Sequence, residues 1–136
     1  MHTTNYTNAF IEVADDCPVN KAELPPRKAD KATIANMQFD MIYDHPYQYT
    51  SDEVIFTTHA VRNEIPRVEW QEARQQFFSK GQACMRSSPL GKRYGWGIHH
   101  DRNSKVALYP MESSDYKKFI KDKSLEHVKA MRSKRA

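Results

Sequence analysis

The spacing of apolar side chains changes character along the chain, and each change marks an element. Residues 8–14, NAFIEVA, alternate as a short strand, with Phe10, Glu12 and Ala14 on one face and Ile11 and Val13 on the other. Cys17-Pro18 ends it, because proline has no donor for a ladder. Residues 18–31 form a loop that Pro25-Pro26 keeps locally extended. From Thr33 the pattern is double. Ile34, Met37 and Met41 recur at helical spacing, while Met37, Phe39, Met41 and Tyr43 alternate as a strand would. No glycine, no internal proline and few β-branched residues favour a helix over 33–43, stopped by Asp44-His45-Pro46. Thr50 and Glu53 have capping-box spacing and open a helix over 51–63, with Val54, Thr58, Val61 and Ile65 on one stripe. A third helix follows Pro66 over 67–80, with Trp70, Ala73, Phe77 and Phe78 apolar and Lys80-Gly81 as its end.

Beyond Gly81 the composition shifts, since all four glycines fall between Gly81 and Gly97. Ala83 to Arg86 reads as a short strand and Ser88-Pro89-Leu90-Gly91 as a turn. The strongest local signal is a β-hairpin. Tyr94, Trp96 and Ile98 alternate, Val106 and Leu108 answer them, and the polar run Asp101–Ser104 supplies the loop. Trp96 is then a core residue, with Gly95 and Gly97 making room around it. Glu112-Ser113-Ser114-Asp115 opens a last helix with Tyr116, Phe119 and Ile120 on its apolar side. The order gives an α+β class: a single domain over 1–136, with a small antiparallel sheet packed against three to four helices on one face. The N-terminal strand joins that sheet as an edge, and a basic tail over 123–136 frays as a continuation of the final helix.

Length and composition agree with one soluble domain. A chain of 136 residues buries a core without disulfides, and 39% hydrophobic with 28% charged residues is ordinary for a globular protein. Cys17 and Cys84 are too few for a disulfide framework, no secretory signal opens the chain, and no apolar run suits a membrane span. A cytoplasmic protein with two thiols and no membrane partner is the expectation.

Net charge is +4, and its distribution matters more than its size. Residues 113–136 hold eight Lys or Arg and three Asp or Glu, so residues 1–112 balance at −1. The tail is therefore either an arm for phosphate or an acidic partner, or a solvated helix end whose lysines suit the dipole. Within the body, cationic and nucleophilic side chains cluster between Cys84 and His100, a stretch rich in glycine. Glycines let backbone N–H groups approach an anion, and Arg86, Ser87, Lys92, Arg93 and His99 are the candidate ligand-binding residues for an anionic small molecule. The competing reading is a tight turn into the hairpin. Gly91-Lys92 is not a phosphate loop, because no Ser or Thr follows the lysine.

Two other function classes stay open. An enzyme would use Cys84 as nucleophile with His99 or His100 as base. A nucleic-acid binder would use the basic C-terminal helix, with Tyr94, Trp96 and Tyr109 more simply explained as core than as base-stacking residues. His99 and His100 point to opposite faces of a strand, so they do not share a metal ion, and no cofactor is implied.

Three segments carry a resemblance. They are FIEVADDCP at 10–18, PYQYTSDEVIF at 46–56, and the long run FFSKGQACMRSSPLGKRYGWGIH at 77–99. Together they resemble a family of small uncharacterised bacterial proteins of this length, a domain of unknown function. The resemblance spans nearly the whole chain. It implies one self-contained domain and transfers no catalytic residue.

Overall fold

The computed structural model describes residues 1–134. Its elements are β1 (Ala9–Glu12), α1 (Ile34–Tyr43), α2 (Ser51–Arg62), α3 (Trp70–Phe77), the single turn α4 (Pro89–Lys92), β2 (Trp96–His100), β3 (Val106–Pro110), α5 (Ser114–Lys121) and β4 (Glu126–Lys129). The domain is α+β, and its four strands lie in the order β3-β2-β1-β4.

The hairpin forms where the alternation places it. Ile98 pairs with Leu108 and His100 with Val106 in an antiparallel register. β1 pairs antiparallel with β2, Phe10 opposite His99. It is an interior strand and not an edge, because β4 lies on its other side in parallel register, Phe10 opposite His127. The sheet is therefore mixed. The chain reaches β4 from β3 by crossing the sheet through α5, so helices cover both faces and the one-face packing is corrected to three layers.

Strand alternation divides the core accordingly. Ile11, Trp96, Ile98, Val106 and Leu108 face α1, α2 and α4. Phe10 faces α5, where Tyr116 and Phe119 meet its ring at centroid distances of 5.1 and 5.0 Å. A Cβ on Gly97 would come within 2.5 Å of Phe10 and 2.6 Å of Tyr116, so the missing side chain is what lets α5 lie down. Gly95 serves differently, at φ +79. Alternation in β1 ends at Glu12: Val13 joins the Phe10 cluster while its N–H donates to the Tyr116 hydroxyl, and Ala14 joins the Ile11 cluster.

Local signals fix most helix starts. Thr50 and Glu53 form the capping box of α2, and Thr33 with Asn36 forms a second one on α1. Trp70 turns onto Phe56, and its indole N–H donates to the Ile65 carbonyl. Val61 is 51% exposed and leaves the predicted stripe of α2, which buries Val54, Phe56, Thr58 and Ala60 instead. α3 stops at Phe77, because Phe78 turns inward to pack with Phe56 and Ala60; Gly81 is not its cap. The predicted strand at Ala83–Arg86 is a 3-10 turn over Met85–Ser87. Ser88-Pro89 opens α4 and is not an isolated turn, with the Ser88 hydroxyl accepting from Leu90 N–H and proline at the first helical position.

The N-terminal residues close over α2. Thr4 donates to Asp52 Oδ1 through both its N–H, at 2.7 Å, and its hydroxyl, at 2.6 Å. At the other end, the tail is neither helical nor frayed. Glu126 N–H donates to the Asn8 carbonyl, Ala130 N–H to the Glu12 carbonyl, and Ala130 is buried. Lys129 pairs with Asp15 at 2.7 Å, and Asp16 accepts from the N–H groups of Ser133 and Lys134. Within the predicted basic tail, Arg135 and Ala136 lie outside the described residues.

Deleting residues 126–136 should therefore destabilise the domain. At about 1 kcal/mol per lost backbone hydrogen bond, a cost of roughly 3 kcal/mol or more is expected. That corresponds to a fall of roughly 10 °C in melting temperature for a domain of this size, read by calorimetry. An unchanged melting temperature would mean that β4 is not paired in solution.

Candidate functional site

Capping determines which residues of α1 and α2 look into the space between them. With Thr33 as N-cap, Ile34 and Gln38 fall one turn apart on one side of α1. On α2, Ile55, Thr58, His59 and Arg62 have the spacing of one helical stripe. These two faces and the Ala83–Pro89 segment, which brings Cys84, Ser87 and Ser88, enclose a cleft of about 450 Å³. A second cleft of about 540 Å³ adjoins it, sharing Ile34, Arg62 and Pro89. Its other walls are the end of the long loop, with Pro26, Lys28 and Lys31, and the residues after α4, Arg93 and Tyr94.

The long loop is held at several points. Asn36 Nδ2 donates to the carbonyls of Pro25 and Pro26, Arg27 forks onto Asp40, and the Trp96 indole N–H donates to the Glu23 carbonyl at 2.9 Å. Lys28 and Lys31 are thereby carried to the rim of the second cleft. Lys28, Lys31, Arg62 and Arg93 surround it, and no Asp or Glu lines either cleft. The ion pairs among the described residues are Arg27–Asp40, His127–Glu12 and Lys129–Asp15, so none of these four cations is in an ion pair, although Lys31 and Arg62 also line a neighbouring depression with Asp30 and Glu64. One exposed cation attracts an anion weakly. Four around one concavity add their potentials, and the low-dielectric walls focus the field.

The residues singled out from the sequence are dispersed. Cys84 and Ser87 line the first cleft and Arg93 the second. Arg86 is engaged elsewhere, its Nε donating to the Lys129 carbonyl at 2.6 Å while its own carbonyl accepts from Met131 N–H. Lys92 closes α4 and lines neither cleft. His99 lies on the opposite face of the sheet, stacked on Phe119 at 4.4 Å, with Nδ1 2.8 Å from the Tyr47 hydroxyl. The sheet thus separates Cys84 from His99. The histidine that shares a cleft with Cys84 is His59. Of the expected basic C-terminal helix, Ser114–Lys121 is α5, whereas the tail expected to continue it contains β4. Lys28, Lys31 and Arg62 were legible only as a polar loop and the solvent side of a helix, since their convergence depends on the fold.

Among the described residues, no three His, Cys, Asp or Glu side chains gather as a metal site, and no helix is long and apolar enough to cross a membrane. Tyr6 reaches Cys84, hydroxyl to Sγ, at 3.6 Å; burial, helped by that contact, pushes the Tyr6 hydroxyl up to about 12. Burial also pushes His99 down and Tyr47 up.

The chain belongs to DUF6157, a family of unknown function. Its model matches residues 1–136. No curated protein and no solved structure matches the chain.

His100 offers a measurable property. It is fully buried beside Tyr6, with ring centroids 5.4 Å apart, and neither ring nitrogen has a hydrogen-bond partner. Burial pushes its pKa down from 6.5 to about 4, with His99 adding to the shift and Asp101 and the Ile98 backbone opposing it. A base with a lowered folded-state pKa takes up its proton first in the unfolded chain. Stability is then complete above pH 6.5, falls as pH drops towards 4, and levels off below. Between pH 7 and 4.5 the loss from His100 amounts to about 2 kcal/mol. His100→Leu should remove that part of the acid sensitivity, measured by urea unfolding at both pH values. An equal loss in variant and wild type would show that His100 is solvated.

Proposed function

We propose that this protein is a small-molecule-binding domain whose ligand is anionic, held in the paired clefts between α1, α2 and the segment 83–94. The supporting observation is the set of cations without partners, Lys28, Lys31, Arg62 and Arg93, around adjoining concavities that no carboxylate lines. Guanidinium groups fork onto carboxylate or phosphate oxygens, and ammonium groups add compact charge, so the arrangement suits either anion. Both clefts lie in the size range of small-molecule sites. Arg93 and Ser87 stay in this reading from the sequence-based set, while Arg86, Lys92 and His99 leave it. A cytoplasmic setting belongs to the proposal, and Cys17 and Cys84, both free thiols, suit a reducing compartment.

The test is a thermal shift with phosphate against sodium chloride at matched ionic strength. At a hundredfold excess over Kd, binding contributes about 2.7 kcal/mol, a rise of several degrees. The double variant Lys31→Met, Arg93→Met keeps both stems and removes both charges. It should lose most of the phosphate-specific shift, and it also controls for general stabilisation by excluded phosphate. Arg86→Met should behave differently, lowering the melting temperature in both salts because it removes the side-chain bond to the Lys129 carbonyl. An equal phosphate shift in the wild type and the double variant would overturn the site.

A further inference from the structure

The first cleft contains a polar group that anion binding alone does not use. Gln38 is only 6% exposed, yet it lines the cleft. Its amide is oriented by Ser88. The Ser88 hydroxyl accepts from Leu90 N–H at 3.2 Å, so its proton is available to donate, and it does so to Gln38 Oε1 at 2.6 Å. The amide nitrogen is thereby turned away from Ser88. It has no hydrogen-bond partner among the described residues. It is also not sealed in, since the enclosed polar side-chain atoms without partners are those of His100. Gln38 Nε2 is therefore a donor that a ligand in this cleft could meet, and the lining beside Gln38 mixes apolar Ile34, Ile55 and Phe77 with polar Thr58, His59 and Asn63.

Apolar side chains beside an oriented amide, among further polar groups, suit a flat ring that carries heteroatoms at its edge. The adjoining cleft, reached past Arg62, is cationic. We propose that the paired clefts take a nucleoside phosphate, with the base in the Gln38 cleft and the phosphate against Lys28, Lys31 and Arg93. This rests on the anion-binding reading and specifies its ligand. Gln38 reads a ring carbonyl or ring nitrogen as acceptor, because Ser88 holds its oxygen. Phenylalanine and the branched aliphatic side chains cover the faces of the ring. An alkyl phosphate would fit the charges equally well but would leave the Gln38 donor buried without a partner. Sites built around a hydrogen bond reject ligands that cannot make it. Free phosphate would leave the first cleft unused.

Titration calorimetry at constant ionic strength tests this with the four 5′-nucleoside monophosphates, their nucleosides, ribose 5-phosphate, octyl phosphate and inorganic phosphate. At least one nucleoside monophosphate should bind ten times more tightly than both ribose 5-phosphate and its own nucleoside. Gln38→Met should reduce that preference over ribose 5-phosphate to less than threefold. Gln38→Glu, which keeps an acceptor for Ser88 and replaces the donor with an acceptor, should do the same. Nucleotides that bind no better than ribose 5-phosphate would overturn the base site and leave anion binding intact, as would octyl phosphate binding most tightly. A preference that survives both Gln38 variants would overturn the role of Gln38 and the base placement with it. If no phosphate compound binds, both readings fall. The wild-type ratios decide the base site even if a Gln38 variant fails to fold.

Discussion

The contact among Gly97, Phe10 and Tyr116 governs more of this structure than its size suggests. Any side chain at residue 97 would occupy the space taken by the Phe10 and Tyr116 rings. With that space filled, α5 could not lie against the sheet. α5 is the crossover that carries the chain from β3, at one edge, to β4, at the other. The Tyr116 hydroxyl then accepts from Val13 N–H and fixes the end of β1. From β4 the dependence runs on to the site. Lys129 and Met131 hold Arg86 through its side chain and its carbonyl, and Arg86 lies in the 3-10 turn between Cys84 and Ser88. The wall of the first cleft is thus positioned by a strand on the far side of β1. Arg86, which the sequence offers as a ligand-binding residue, gives its Nε–H to the Lys129 carbonyl.

Legibility followed the range of the interactions. The box at Thr50 and Glu53 could be read because its partners are three residues apart. The hairpin could be read because its two strands alternate around a polar loop. β4 could not. Leu125, Val128 and Met131 are spaced as on a helix, and the parallel partner of Glu126–Lys129 is Ala9–Glu12, more than a hundred residues away. The same limit made β1 look like an edge strand and hid α5 as the second layer. Ser88-Pro89 shows a local ambiguity instead, because serine before proline marks both a turn and a helix start, and only the burial of Leu90 chooses between them.

Charge was legible in amount and misleading in place. The excess of cations after residue 112 accounts for the basic character of the chain, and among the described residues one of these cations, Lys129, is in an ion pair. Lys129 pairs with Asp15, and Asp16 caps the backbone at Ser133 and Lys134. The cations without partners around the clefts come from the near-neutral body, where Lys28 and Lys31 sit in a loop and Arg62 at the end of α2. Net charge by segment therefore marked the tail without showing that it docks, and the candidate site needed the three-dimensional arrangement.

The two clefts differ in how firmly their groups are held, and under the proposed binding that difference would divide the work of recognition. Gln38 and Ser88 are buried and hydrogen-bonded to each other, so the donor at depth is oriented before any ligand arrives. Such preorganisation favours selectivity, because no ordering cost falls on binding. Lys28, Lys31, Arg62 and Arg93 are exposed on flexible stems. Their contribution is long-range attraction, which speeds encounter and weakens with salt. The loop bearing the two lysines is nevertheless tied down on either side of its prolines by Asn36, Asp40 and the Trp96 indole. On the proposed reading, raised salt should therefore act mainly on association rate and a change at Gln38 on dissociation, since the first group would steer an anion in and the second would hold what the anion is attached to.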